Sequence, residues 1–398
     1  MRLNIGTSTL ADPGAALASA ARDALGASRS PALAFVFSTY DYAPADVASA
    51  AKSELGAVPW AGVITPAILV GPSARPRSRP KGCIVARGIA VGVVDCDRMR
   101  VRVGGSGPPT SDAREAGRSA ARDALVDMPL PPVDRSRAIL LFSDTVACDA
   151  AEALHGALSV AGAGIAWCGG GTGASEAGVP SARFAHGRAF DDQVVAVTLD
   201  CHSRVGIGMK HGWQPTGAPA MVTQASGCML ERLEHRPALE IYRAAAEERG
   251  ERIDGDHFSS FAMTHPLGIP QADGAYLIRD PLSTDESGSL RFMATVPDGA
   301  LVRVMEGTPE MLIEAARGAA KAARDDAGAP LGGALVFDCV SRYLMLGDRL
   351  NDEIAACQTA LGGDVPILGC LTFGEVGAFG ARMPQFHNKS IVVVALPA

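Results

Sequence analysis

The residues best placed to do chemistry fall late in the chain. Glu375 follows Gly374 and lies three residues after Thr372, a lone carboxylate at the end of an apolar stretch. A carboxylate there can accept hydrogen bonds from an amino group, and Arg342 or Arg279 can hold a carboxylate in two parallel bonds. The same residues also fit an internal arginine–glutamate pair that holds the fold together. Cys339 ends an apolar strand close to Arg342, where a small inert hydrophobe and a reactive thiol are both open readings. In the middle of the chain, Gly169-Gly-Gly-Thr-Gly173 follows a strand, so that Gly171 and Thr172 could present backbone N–H groups to a ligand or simply make a tight turn. It is not a nucleotide loop, because no Lys-Ser/Thr follows and Pro180 interrupts any helix after Ala174. No G-x-S-x-G, H-E-x-x-H, Walker A or EF-hand pattern occurs, so no catalytic residue is assigned.

Composition narrows the classes. An apolar fraction of 47% with 20% charged residues argues against global disorder, and no apolar run approaches the roughly 20 residues that span a bilayer. The first residues turn polar too soon for a secretory signal, which predicts a cytoplasmic protein without membrane insertion. Nine cysteines lack any C-x-x-C pair, so neither disulfides nor structural zinc are expected. The net charge is −7, and the only basic cluster is the proline-broken run Arg75–Lys81, so nucleic acid is not an expected partner.

The elements that would position these residues repeat. Strand-like segments Ala32–Phe37, Ala138–Phe142 and Ala334–Phe337 are each followed by a helical pattern. A second strand then ends in G-x-x-T at Gly62–Thr65, Gly169–Thr172 and Gly369–Thr372. An apolar strand closes each unit, the last being Ile391–Leu396, whose lack of alternation predicts burial on both faces. In the third unit Leu350, Ile354, Cys357 and Leu361 share a helix face, with Asp352 and Glu353 expected to point elsewhere. Residues 203 to 330 differ: they hold strand candidates at Tyr276–Ile278, Leu290–Met293 and Leu301–Val304, then a helix capped by Thr308, opened by Pro309 and ended near Gly328. The predicted fold is α/β (α+β): two-lobed, with layered mixed sheets covered by helices in an αββα-like arrangement built from β-α-β-β units.

From residue 203 onward the chain resembles the C-terminal FIST region. The phrases that carry the likeness include Trp213-Gln-Pro-Thr-Gly217, Pro237-Ala-Leu-Glu-Ile-Tyr242, His265-Pro-Leu-Gly268, Tyr276-Leu-Ile-Arg279, Val296-Pro-Asp-Gly299, Gly374-Glu375 and His387-Asn388, in the family's order. The first two units resemble the FIST N-terminal region, which divides the chain into 1–205 and 206–398. The resemblance implies a sensory module that binds a small ligand and signals through a separate partner such as a histidine kinase. Some members bind haem and sense nitric oxide, for which His387 and then His265 are the candidate ligands here. His387 and Asn388 join Glu375, Thr372, Arg342, Cys339, Arg279, Gly171 and Thr172 as candidate ligand contacts, expected to line a pocket between the lobes. An enzyme acting on a small substrate through Cys339 or Glu375 is the remaining alternative.

Overall fold

In the computed structural model the same path is traced three times. The structure describes residues 1–71, 83–107, 112–131, 134–145, 149–173, 181–190, 194–253, 257–380 and 382–398. The basic run Arg75–Lys81 and the segment from Ala174 to Pro180 lie outside the described residues.

The first unit runs β1 (Arg2–Ser8), α1 (Pro13–Gly26), β2 (Pro31–Thr39), α2 (Pro44–Leu55), β3 (Trp60–Thr65), the short strands β4 (Ile68–Val70) and β5 (Ile84–Val85), and β6 (Ile89–Asp95). The second repeats it with β7 (Arg100–Gly105), α3 (Ala113–Asp123), β8 (Ser136–Asp144), α4 (Ala150–Ala161), β9 (Ala166–Thr172), β10 (Arg183–Ala185), β11 (Arg188–Phe190) and β12 (Val195–Cys201). The third opens with β13 (Gly206–Lys210) and is then interrupted. The interruption carries β14 (Gln214–Pro215), β15 (Ala220–Ser226), β16 (Met229–Leu233), β17 (Arg236–Pro237), α5 (Ala238–Glu247), α6 (Phe258–Thr264), β18 (Leu267–Pro270), β19 (Tyr276–Arg279), β20 (Pro281–Thr284), β21 (Leu290–Phe292) and β22 (Leu301–Glu306). The third unit resumes with α7 (Pro309–Ala327), β23 (Leu331–Cys339), α8 (Val340–Leu346), α9 (Leu350–Leu361), β24 (Ile367–Thr372), β25 (Glu375–Gly377), β26 (Gln385–His387) and β27 (Ile391–Pro397).

In each unit the first long strand pairs parallel with the one ending in G-x-x-T and antiparallel with the closing strand. The repeat is therefore longer than the sequence pattern suggested, since β1, β7 and β13 add an edge strand beside each closing strand. The units also exchange strands in a ring. Sheet order is β1-β6-β2-β3-β10-β11, β7-β12-β8-β9-β25-β26 and β13-β27-β23-β24-β4-β5, so each pair of short strands completes another unit's sheet. A fourth sheet belongs to the interruption and packs with α5 and α6 around Tyr242, Phe258 and Phe292.

Two sets of glycines fix this repetition. Gly6, Gly104 and Gly208 occupy equivalent edge-strand positions, and a Cβ there would fall 2.0 Å from Ala20 O, 2.2 Å from Ala124 N and 1.9 Å from Ala319 O, so only glycine lets each helix backbone close on its strand. The glycines of the G-x-x-T phrases do the same against the neighbouring strand, with Cβ positions 1.8, 2.1 and 2.2 Å from Val36 O, Leu141 O and Val336 O.

The three sheets turn one face to a shared core containing Phe37, Phe142 and Phe337, and helices cover their other faces. This explains the unbroken apolar run of β27: Val392, Val394 and Leu396 enter the shared core, while Ile391, Val393 and Ala395 pack under helices. The long helix forms as its ends predict, with Thr308 accepting from Met311 N, Pro309 in the first turn and Gly328 left-handed. One sequence expectation fails. Asp352 is exposed, but Glu353 is fully buried, because α9 turns it toward Arg342.

Candidate functional site

The ends of β8–β9 and β23–β24 gather most of the buried polar side chains outside the fourth sheet. Matching registers make Ile68, Arg183 and Glu375 equivalent, each being the residue where one unit's chain crosses to another unit's sheet. The residue before each crossing accepts a main-chain hydrogen bond from that neighbouring strand: Leu371 N to Ala67 O at 3.0 Å, Ile64 N to Ala182 O at 2.8 Å and Gly171 N to Gly374 O at 2.7 Å.

Glu375 is fully buried. Thr372 Oγ1 donates to its Oε1 at 2.7 Å, and Ser390 donates to Oε2 from Oγ at 2.6 Å and from N at 3.1 Å. Burial raises its pKa to about 7, opposed by those hydrogen bonds. Cys339 lies opposite Thr372 in the strand pair, and burial, with the nearby Glu375 and Asp280 charges, pushes its thiol well up. Such a thiol is a poor nucleophile.

The arginines do not join Glu375. Arg342 is fully buried and hydrogen-bonds His211 O at 2.7 Å and Leu312 O at 2.9 Å. Its charge is met by Glu353, in contact with Nη2, and by Asp338 at 3.0 Å from Nε. Burial and the adjacent Glu353 hold the Asp338 carboxyl well above its ordinary range. The internal arginine–glutamate pair therefore exists, with Glu353 in place of Glu375. Arg279 donates to three main-chain carbonyls, Thr295 O at 2.8 Å and Ile278 O and Phe386 O at 3.1 Å, and burial lowers its pKa to about 10.

Gly171 is closed to a ligand at its amide, which Gly374 O occupies, and a Cβ there would lie 2.1 Å from Thr145 Cγ2. Thr172 accepts from Arg183 Nη1 at 2.7 Å, and the same nitrogen meets Asp144 Oδ2 at 2.7 Å. Arg183 thus does in the second unit what Glu375 does in the third. Its sequence signal is its place after the G-x-x-T phrase, and the segment from Thr172 to Arg183, longer than that from Thr372 to Glu375, hides the spacing.

His387 and Asn388 lie at the far side of the β25–β26 pair, His387 directly opposite Glu375. Asn388 Oδ1 accepts from Asp280 N at 3.4 Å. Next to them the buried Lys389 binds Asp280 Oδ1 and Met263 O, both at 3.0 Å, and Ser341 Oγ donates to Asp280 Oδ2 at 2.6 Å. Lys389, Asp280 and Ser341 were missed because their partners come from three separate stretches of chain.

Haem does not fit either histidine as arranged. His265 lies flat on Phe261, with centroids 3.9 Å apart, and its Nδ1 is 3.0 Å from Phe261 O. His387 is buried edge-on to Phe379 at 4.9 Å, its Nδ1 is enclosed, and burial beside Arg279 keeps it neutral. Axial ligation would require those rings to separate.

Space for a molecule exists next to this cluster. A cleft of about 780 Å³ lies between the loop joining β25 to β26 and the edge of the third unit's sheet. Phe379 and Arg382 come from the loop, Ile207 and Lys210 from β13, Trp167 from β9, and Asp326 from α7. Phe379 is the link to the strand ends, since its ring meets both His387 and His211 edge-on. Burial lowers the pKa of His211 to about 3, so both histidines behind Phe379 are uncharged.

Residues 32–236 match the FIST N domain and residues 238–378 the FIST C domain. Uncharacterized protein Rv0628c of Mycobacterium tuberculosis H37Rv is 28% identical over 175 residues, 42% of this chain and 45% of that protein. Uncharacterized protein Mb0898c of Mycobacterium bovis is 29% identical over 187 residues, 44% and 46% of the two chains. The chain thus spans about half the length of the curated relatives it matches. A cyanuric acid hydrolase from A. caulinodans aligns over 100% of this chain and 99% of its own at 10% identity and a TM-score of 0.33, too low to argue a shared fold. With both domain profiles matched over most of its length, the chain belongs to the FIST family of small-ligand sensory domains.

Proposed function

We propose that this protein senses a small molecule in the cleft beside Phe379 and passes the signal to a separate protein, a histidine kinase being the expected kind of partner. The observation that carries the reading is the path of the β25–β26 loop. It walls the cleft, yet its strands complete the second unit's sheet while the chain on either side belongs to the third. A ligand that favours one setting of this loop shifts the population between two placements of the units, and a partner can read that shift. Glu375, Thr372, Cys339, His387 and Asn388 act in this reading at the base of the moving strands, with Gly171 and Thr172 as the surface they slide against. Arg342 and Arg279 anchor the surroundings.

The reading divides the chain after residue 205, since β13 pairs with β27, and it places the protein in the cytoplasm. Among the described residues no helix is long and apolar enough to cross a membrane.

Native mass spectrometry of the purified protein tests the proposal. A co-purifying small organic mass is expected, and it should be lost when Phe379→Ala and Ile207→Glu alter the cleft walls. Retention of that mass in both variants would overturn the cleft as the site. An absorption band of stoichiometric haem would replace this reading with a gas sensor.

A further inference from the structure

We propose that the ligand of this cleft is an organic anion with an apolar body. The inference deepens the sensor reading and rests on it for the meaning of binding, while the binding chemistry follows from the walls alone. The chain carries a net charge of −7, yet among the described residues three cations, Arg204, Lys210 and Arg382, face this cleft against one acid, Asp326. Asp326 is already committed. Its Oδ1 holds Arg204 Nε at 2.9 Å, and its Oδ2 accepts from Ile207 N at 3.0 Å. Arg382 meets Asp273 through Nη2, and its Nε and Nη1 are buried without a hydrogen-bond partner among the described residues. Buried guanidinium nitrogens left unpaired are costly, and an anionic acceptor from a bound molecule would satisfy them. Beside them Ile165, Ile207, Trp167 and Phe379 offer apolar surface, with Arg382 standing 5.7 Å from the Phe379 ring centre.

The repeat supplies a second, independent observation. A cleft of about 390 Å³ occupies the equivalent place between the first and second units, where His186 and Gly187 stand for the loop, Val101 to Val103 for the edge strand and Trp60 for Trp167. Each tryptophan lies two residues before the glycine of its G-x-x-T phrase. This smaller cleft is also basic, through Lys52 and Arg102; Arg102 meets Asp123 through Nη2 at 3.9 Å, and its Nε is likewise buried without a hydrogen-bond partner among the described residues. Two related clefts that keep the same sign of charge on an acidic protein point to the anion as the recognised feature. The larger one has room for a sizeable body, within the usual range of small-molecule sites.

Isothermal titration of the full chain with phenylacetate and 1-naphthylacetate, set against uncharged 2-phenylethanol, tests this. At least one carboxylate should bind saturably, with the alcohol at least about tenfold weaker, as expected when a charged hydrogen bond is lost. Arg382→Gln and Lys210→Gln should each weaken the carboxylate about tenfold. Equal binding of the alcohol, indifference to both Arg382→Gln and Lys210→Gln, or no binding of either carboxylate at millimolar concentration would each overturn the anion assignment. A neutral co-purified molecule, lost from the cleft variants in native mass spectra, would overturn the anion class and leave the sensor reading standing.

Discussion

The second and third units place different chemistry on the same backbone. At the crossing position the second has Arg183, paired with Asp144 and Thr172, where the third has Glu375, bound by Thr372 and Ser390. One residue before the strand end, Ser143 in the second unit is matched by Asp338 in the third, and at the end itself Asp144 is matched by Cys339. The first unit shows what remains without charge, with Ile68 in the shared core and Ser38 and Thr39 at the strand end. Glycines, main-chain hydrogen bonds and the buried threonine that ends each G-x-x-T phrase repeat through all three units, and the buried charged residues do not. The repetition therefore builds the frame, and the second and third units depart from it in the charged side chains at these strand ends.

The comparison breaks most sharply where the frame itself is attacked. Gly208→Ala puts a methyl group 1.9 Å from Ala319 O, on helix backbone that cannot yield locally. Loss of more than about 4 kcal/mol is expected, seen as insoluble protein or a collapsed urea midpoint. Gly104→Ala should be comparably severe if the units are equivalent. A mild effect at either position would mean that one helix is free to retreat and that the frame is not repeated.

Next in size is the third unit's own addition. Arg342→Met leaves Glu353 and Asp338 buried without their cation, and breaking such a pair from one side costs about 3–5 kcal/mol. Urea unfolding measures it. If the double change Arg342→Met with Glu353→Leu recovers most of the loss, the penalty lay in the stranded charge rather than in packing.

Glu375 gives a pH test of about 3 kcal/mol, from a pKa raised from 4.5 to about 7 by burial. Between those values the folded protein binds a proton that the unfolded chain has released. This contribution is therefore complete below about pH 4.5 and is lost as pH rises toward 7. His211 and His387, held neutral by burial, act in the opposite sense below the ordinary histidine range, because the unfolded chain then takes up protons that they refuse. The difference between wild type and Glu375→Gln isolates the carboxyl: unfolding free energies across pH 4 to 8 should diverge toward pH 7 in favour of the glutamine variant. Parallel curves would show that Glu375 ionises normally.

Much of the frame was legible because it is written in main-chain terms. The G-x-x-T phrase, the unbroken apolar β27 and the Thr308–Pro309 start of α7 each reflect a local rule, and each falls where expected. What sequence could not show is exchange between units. Nothing near Glu375 in the chain says that it will lie beside Gly170 of another sheet, or that Arg342 of α8 will find Glu353 of α9. Periodicity sets Glu353 of α9 off the apolar face, and only the position of Arg342 shows why it is buried. The candidate contacts Glu375, Thr372 and Cys339 do come together, but as a closed joint, and the open cleft is lined by residues such as Phe379 and Arg382 that no local motif singles out.

The smallest effect is the one that best separates frame from function. Thr65 and Thr372 end equivalent strands, yet Thr65 Oγ1 donates to Leu371 O at 2.7 Å while Thr372 Oγ1 donates to Glu375 at 2.7 Å. Replacing either by valine removes one hydrogen bond, about 1 kcal/mol. Thr65→Val should cost that amount equally at every pH, because its acceptor is a carbonyl that does not titrate. Thr372→Val withdraws a bond that favours the ionised carboxylate, so its cost should be small below pH 5 and grow above pH 7, and the Glu375 titration should move to higher pH. Identical pH profiles for the two variants would mean that the third unit's threonine serves only the frame, as Thr65 does, and that Glu375 keeps its proton by burial alone.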